Sequence, residues 1–386
     1  MSISLHSKLK DETCYKLIQI TPGLLETLKD DKRRSQLKFK SLDDKKSDVV
    51  LCSDSETWIV RQKNHSNTVL LMHEFVPEEM PDLDKMPLFG APAPVNDFLG
   101  FSRTNYEYET KPTKGLVNVD LVPIYNGELE FPKNPSKVKI KTEEELLNNS
   151  SCSINEFRKR WAVLGGCTVN GYVCILSSDF LSKALHVTLM SIMDESLDLE
   201  KLIINNVYSA VIKDTEEEFN PYSKDVVKTV LLRYGIMNIE DYENSDHNNE
   251  MTASWRLNMK EIAQWYGIMA LKKYVSKTTM PQDEFLINWK SLFPPFFPCD
   301  IDIDLLRGWF FKPTGSSIQY ISKDTLPMEP KDRFKMLFKL QSQWELEDIV
   351  PFIEELNVKN LKVDSFIMKF ARRRKIGGNK IVVTSR

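Results

Sequence analysis

Nowhere in these 386 residues does an apolar run approach the ~20 positions that a membrane-spanning helix requires. The phosphate-binding signature GxxxxGK[ST] is missing, which excludes a nucleotide-hydrolysing loop of that type. There is no GxSxG nucleophile elbow, and Gly165-Gly166 is an isolated pair read as a turn. The five histidines (His6, His65, His73, His186, His247) lack metal-ligand spacing. Six cysteines (Cys14, Cys52, Cys152, Cys167, Cys174, Cys299) are scattered with no CxxC pair, so they read as reduced thiols rather than disulfides or a zinc site. Met1 to His6 has no apolar core of a secretory signal. These absences make a soluble intracellular protein without cofactor, metal or membrane the expectation, and they give no sign of an enzyme.

One further absence is local. From Lys369 to Arg386 there is no Asp or Glu, while seven Lys/Arg occur there: Lys369, Arg372, Arg373, Arg374, Lys375, Lys380 and Arg386. The whole chain carries −3, so the other 368 residues carry −10. Charge so segregated points to an anionic partner, with a polyanion such as DNA the first choice. An acidic protein, or a solubilising or nuclear-import tail at Arg372–Lys375, remains as an alternative.

The region around these cations has a readable order. Asp332–Gln341 places Phe334, Leu337, Phe338 and Gln341 at helical spacing. After Trp344, Glu347 and Asp348 suit a helix start, and Ile349, Phe352, Ile353 and Leu356 form a second apolar stripe. Val363, Phe366, Ile367 and Phe370 form a third, which would put Lys369 and Arg372 on the opposite face of a third helix. Gly377-Gly378-Asn379 would end that helix, and Lys380–Thr384 is β-branched enough for a strand. Three helices and a terminal strand are the order of a winged helix, whose third helix can enter a groove while its wing meets phosphate.

Earlier in the chain the first hundred residues read as short strands: 14–20, 36–42, 48–53, 57–62, 68–75, 99–109 and 116–124. Turns are expected at Asp54–Glu56 and Asn64–Asn67. The expected fold is α+β: a small β-barrel-like domain, its edges completed by partner chains, followed by winged-helix modules. Expected boundaries are 1–128 for the β-rich assembly domain, 129–142 for a linker, 143–200 and 201–328 for two modules, and 329–386 for the basic one. Helices are expected at 153–164, 178–197, 262–274, 283–292 and 302–311, and a hairpin at Asn170-Gly171. The stretch 240–252 reads as an acidic loop. Asp300, Asp302 and Asp304 read as a helix start rather than a cation site, and Glu216–Glu218 as a solvated face. Leu292–Pro298 reads as an aromatic core crossing rather than a docking patch.

Several segments together resemble the Dcc-type sister-chromatid-cohesion subunit of the alternative, cohesion-specific replication factor C clamp loader, in particular its budding-yeast members. They are Val49–Ser53 with Thr57-Trp58 and Ser66-Asn67, Phe219–Tyr222, Ile262–Gly267, Phe285–Ile287 through Asp304, Arg333-Phe334, Trp344, Glu347–Ile349 and Val382–Arg386. The resemblance implies a nuclear, non-ATPase accessory subunit. Its β region would join the small and the large cohesion-specific subunits. Its winged helices would contact DNA and the catalytic subunit of DNA polymerase epsilon, directing loading or unloading of the clamp PCNA during replication. The alternatives are a winged-helix transcription regulator and a scaffold without DNA contact.

Overall fold

The computed structural model describes residues 3–7, 15–41, 48–74, 96–214, 219–238, 253–357, 361–376 and 380–386. The expected acidic loop 240–252, the Glu216–Glu218 face and the turn Gly377–Asn379 lie outside the described residues. The chain divides into two compact units, Met1–Ile124 with Glu130–Ile175, and Tyr125–Leu129 with Leu176–Arg386. It is a mixed α+β protein with several small sheets.

The first unit is built on an open sheet. Its strands are β1 (Ile3–Ser7), β2 (Ile18–Gln19), β3 (Lys38–Lys40), β4 (Val49–Cys52), β5 (Thr57–Glu74) and β6 (Asn96–Thr113). The order is β1-β6-β5-β4-β3, with β2 also on β6. β1 and β2 run parallel to β6, while β5 and β6 form a long antiparallel ribbon. Among the described residues no strand pairs β3 back onto β1, so the sheet does not close into a barrel.

The turn expected at Asn64–Asn67 is a correction. β5 runs straight through it, and the register steps from Asn64↔Tyr106 to Val69↔Thr104, so the extra polar residues are absorbed as a bulge. Thr68 Oγ1 donates to Asn105 Oδ1 across this irregularity at 3.0 Å. The expected strand 116–124 is a second correction. Leu116 makes one isolated bridge to Ser151, and the amides of Asn118 and Val122 bond to Ser150 Oγ and the Val119 carbonyl instead of a ladder. Helices not expected from the sequence include Pro22–Lys29, Asp31–Arg34 and Glu143–Asn148 in this unit, and Ile204–Asp214 and Lys224–Tyr234 in the other. Pro22–Lys29 starts with proline in its first turn and buries Leu24 with Leu51 and Trp58, and Asp30 caps Asp31–Arg34.

Glu156 ties this sheet to the helix Ile154–Leu164. Its carboxylate accepts from Thr57 Oγ1 (2.5 Å), Ser153 Oγ (2.7 Å), the Gly115 amide (3.1 Å) and the Ser153 amide (3.2 Å). The last of these belongs to a capping box. The expected hairpin follows as Gly166–Val169 and Tyr172–Leu176, with Asn170 and Gly171 both at positive φ (52° and 80°), as a two-residue turn of the mirror-image type demands.

Among the described residues of the second unit one order of elements occurs three times: a helix, a short strand, a helix, a further helix or helical turn, and two strands. It is seen over 178–257, 259–320 and 330–385. Each repeat makes a three-stranded sheet with its last strand in the centre. Helix Ser178–Asp194 packs with the two helices that follow it, Ile204–Asp214 and Lys224–Tyr234. The helix expected at 302–311 shrinks to a 3-10 turn, Ile303–Leu306, capped by Asp302, before the strand Phe310–Phe311. Gly308 at φ +87° stops it, and a Cβ there would lie 2.7 Å from Pro351 Cβ. The aromatic-proline stretch divides: Phe297 is buried and stacks on Phe293, whereas Phe296 is 96% exposed.

Candidate nucleic-acid interface

The basic terminus closes the last of these repeats. Helix Pro330–Leu340, strand Gln343–Glu345, helix Leu346–Ile353 and helix Val363–Phe370 surround one apolar cluster that includes Phe334, Leu337, Trp344, Phe352, Ile367 and Val383. The three amphipathic stripes read from the sequence are its helical walls. The strand at Trp344 was not foreseen. Its signal was the single apolar residue between Gln343 and Glu345, too short for a periodicity argument.

Arg333 sets the frame. It is 0% exposed, and its guanidinium is spent inside the domain. Nε donates to the Pro327 carbonyl at 2.6 Å, Nη1 to the Phe352 carbonyl at 2.9 Å and to the Glu355 carboxylate, and Nη2 to the Leu326 carbonyl at 3.4 Å. The Phe352 carbonyl belongs to a helix end that lacks an intrahelical partner, so the arginine satisfies it. Nothing in the sequence marks Arg333 as buried, since its helix position would also suit a surface cation.

The arginine run is not on the third helix, which corrects the sequence reading. That helix ends at Phe370, and Ala371–Ile376 is a strand paired antiparallel with Lys380–Ser385. The β-branched stretch Ile381–Thr384 offers a ladder to residues 371–376, and the pairing of buried Ala371 with Ser385 fixes its register. Lys369 alone of the proposed contacts stays on the helix, in its exposed last turn.

Alternation along the strand then sorts the cations. Arg372 and Arg374 pair with Thr384 and Val382, and so share the outer face of the hairpin with Lys380. Arg373 pairs with Val383, which is fully buried, and turns toward the preceding helix, where its Nε lies 3.2 Å from Asp364 Oδ1. Lys380 Nζ is 3.4 Å from Glu345 Oε1 across the sheet. Arg386 donates from Nη2 to the Met368 carbonyl, near the end of the helix. Among the described residues Lys369, Arg372, Arg374 and Lys375 are exposed and lie in no ion pair. The structure therefore brings all seven residues to one helix end and one hairpin, with four of them unspent.

A group of three or more His, Cys, Asp or Glu side chains able to hold a metal ion does not occur among the described residues. The five described cysteines are buried and form no disulfide with one another, and burial pushes the thiols of Cys152 and Cys299 up to about 11, far from a reactive thiolate.

Comparison with known proteins gives the family. A family profile described as "Sister chromatid cohesion protein Dcc1" matches residues 15–353, stopping short of the basic hairpin. "Sister chromatid cohesion protein DCC1" of Saccharomyces cerevisiae is 56% identical over 390 residues, covering 100% of both chains. The proteins of the same name from Mus musculus and Homo sapiens are 25% and 24% identical, covering 95% of this chain and 86% and 87% of their own. The chain therefore belongs to the Dcc1 family of sister chromatid cohesion proteins.

Proposed function

We propose that this chain is a non-catalytic accessory subunit of an alternative replication factor C clamp loader, acting in the nucleus on replicating DNA. The observation that carries the DNA half of this reading is the set Lys369, Arg372, Arg374 and Lys375, exposed and in no ion pair among the described residues. Four such cations at one helix end and hairpin, attached to a domain whose apolar core does not include them, would make a phosphate-binding surface. The element order and the central last strand of each three-stranded sheet support a winged-helix reading, in which the hairpin is the wing and the three repeats are three such modules. Here the wing carries most of the charge and the third helix only Lys369. Backbone contact without base readout fits that distribution, because a loader must work at any sequence.

The open sheet of the first unit supports the assembly half. β3 and β1 are unpaired at their outer edges among the described residues, and such edges are natural places for other chains to add strands. The occupants in this reading are the small and the large cohesion-specific subunits, which would complete the barrel. The module would then dock on the catalytic subunit of DNA polymerase epsilon and so bring the loader to PCNA.

Native mass spectrometry of the affinity-purified complex tests the assembly half: loader subunits are expected. A homodimer would indicate a transcription regulator, and a DNA-free assembly lacking loader subunits a scaffold. For the DNA half, Lys369→Ala with Arg372→Ala is expected to weaken duplex binding at low salt with unchanged thermal unfolding. Unchanged affinity would overturn it.

A further inference from the structure

Helices Ser178–Asp194 and Met259–Tyr274 line a cavity of about 350 Å3 that shares no residue with the basic hairpin. Its walls are hydrocarbon and sulfur: Val187, Met269 and Leu292, with the faces of Trp265 and Tyr266. Two polar contacts cross between the helices at its wall, and Tyr222 also lines it. His186 Nδ1 lies 3.1 Å from the Tyr266 hydroxyl, and Trp265 Nε1 donates to Ser182 Oγ at 3.2 Å. Burial holds the His186 imidazole below its usual pKa, so it adds no charge at neutral pH. At the rim stand Lys183 and Lys273, one from each helix, both exposed and neither in an ion pair among the described residues; the Lys273 ammonium lies 4.8 Å over the Tyr274 ring, a contact an anionic partner could compete with.

This is an apolar socket with two cations at its mouth. A nucleobase would bring several donors and acceptors into a mostly apolar space in which the Trp265 indole N–H, Ser182 Oγ, the Tyr266 hydroxyl and His186 Nδ1 are already engaged. An aromatic or branched aliphatic side chain needs no such partners, and a volume at the small end of ligand pockets suits one such group rather than a cofactor. Methionine in the wall lets the socket adapt its shape. Carboxylates on either side of the anchor would meet Lys183 and Lys273. We propose that this cavity is an anchor site for a linear acidic peptide of a partner protein, one apolar side chain inserted and its flanking carboxylates on the two lysines.

The test uses the full chain and fluorescein-labelled heptapeptide pools: three Asp/Glu positions, a central Phe, Trp, Leu or Ile, then three more Asp/Glu positions. Fluorescence anisotropy should show saturable binding that disappears when the central residue is Ala. Lys183→Glu with Lys273→Glu should weaken it about tenfold or more, without change in thermal unfolding because both side chains are exposed. Met269→Trp, with far-UV circular dichroism as its folding control, should block the same binding by filling the socket. Absence of saturable binding, equal binding of the Ala-centred pool, or full binding by the lysine variant would each overturn the proposal. Displacement of the peptides by oligo(dT), with the same loss in both variants, would assign the cavity to single-stranded nucleic acid instead.

Discussion

Arg373 and Asp364 face each other at 3.2 Å, one on the first strand of the terminal hairpin and the other in the first turn of the preceding helix. This pair decides what the neighbouring arginines can do. With Arg373 drawn toward the domain, Arg372 and Arg374 are left on the outer face by the two-residue alternation of a strand.

The first prediction follows from that division. Arg372→Ala with Arg374→Ala should reduce DNA affinity about tenfold or more at low salt, while Arg373→Ala should reduce it much less. Because Arg373 and Asp364 are both more than a third exposed, their loss should change stability by only about 0.5 kcal/mol. Electrophoretic mobility shift and urea unfolding measure the two effects. Equal loss of affinity from all three positions would mean that the hairpin face is not what binds.

Salt dependence supplies a second prediction. Seven engaged cations would give a slope of log affinity against log salt of about −5 to −6. With Arg373, Lys380 and Arg386 committed within the chain, the four remaining cations give about −3 to −4. A titration between low and moderate salt distinguishes the values.

Stability should depend most on Arg333. Arg333→Met removes the donors for the Leu326, Pro327 and Phe352 carbonyls and strands them inside the domain. The cost should be about 3–5 kcal/mol, read as a lowered urea midpoint for the C-terminal unit. Glu355→Gln should cost about 1 kcal/mol or less, because that carboxylate is half exposed while the carbonyl contacts persist. Comparable losses would show that the ion pair, rather than the carbonyls, holds the frame.

The first unit should respond to acid through Glu156. Burial raises its pKa, but bonds from Thr57, Ser153 and Gly115 outweigh that and hold it below the usual 4.5. The folded carboxyl therefore ionises more readily than the unfolded one. Its stabilising contribution is full above about pH 4.5 and disappears as the pH falls through the lower folded value. Glu156→Gln should flatten this part of the pH–stability curve; an unchanged acid slope would assign it to other groups.

Phe296 holds φ at +61° with its ring 96% exposed, so the backbone strain is not offset by burial. Phe296→Gly should leave thermal stability unchanged or raise it by about 1 kcal/mol. A loss of similar size would mean that the ring packs on the protein in solution.

The local signals in the sequence carried a long way. Apolar stripes at helical spacing gave the three helices of the last repeat, and Asn170-Gly171 gave the separate hairpin 166–176, because each of these depends on neighbours within a few residues. Two of the failures share one cause. The polar run Asn64–Asn67 became a bulge because β6 was there to pair with both sides of it. Arg372–Lys375 became a strand because residues 380–385 paired with it, overriding a helix that would otherwise have run on.

Composition alone determined that a segregated positive charge ends the chain, and pattern alone determined that it is backed by an apolar seam. Which cations point outward, and which are used up on Asp364, Glu345 and a helix carbonyl, was decided only by tertiary pairing. Strand register and burial are set by segments distant in sequence, and the charges of Arg333 and Arg374 are the same until the fold places one at zero exposure and the other in solvent.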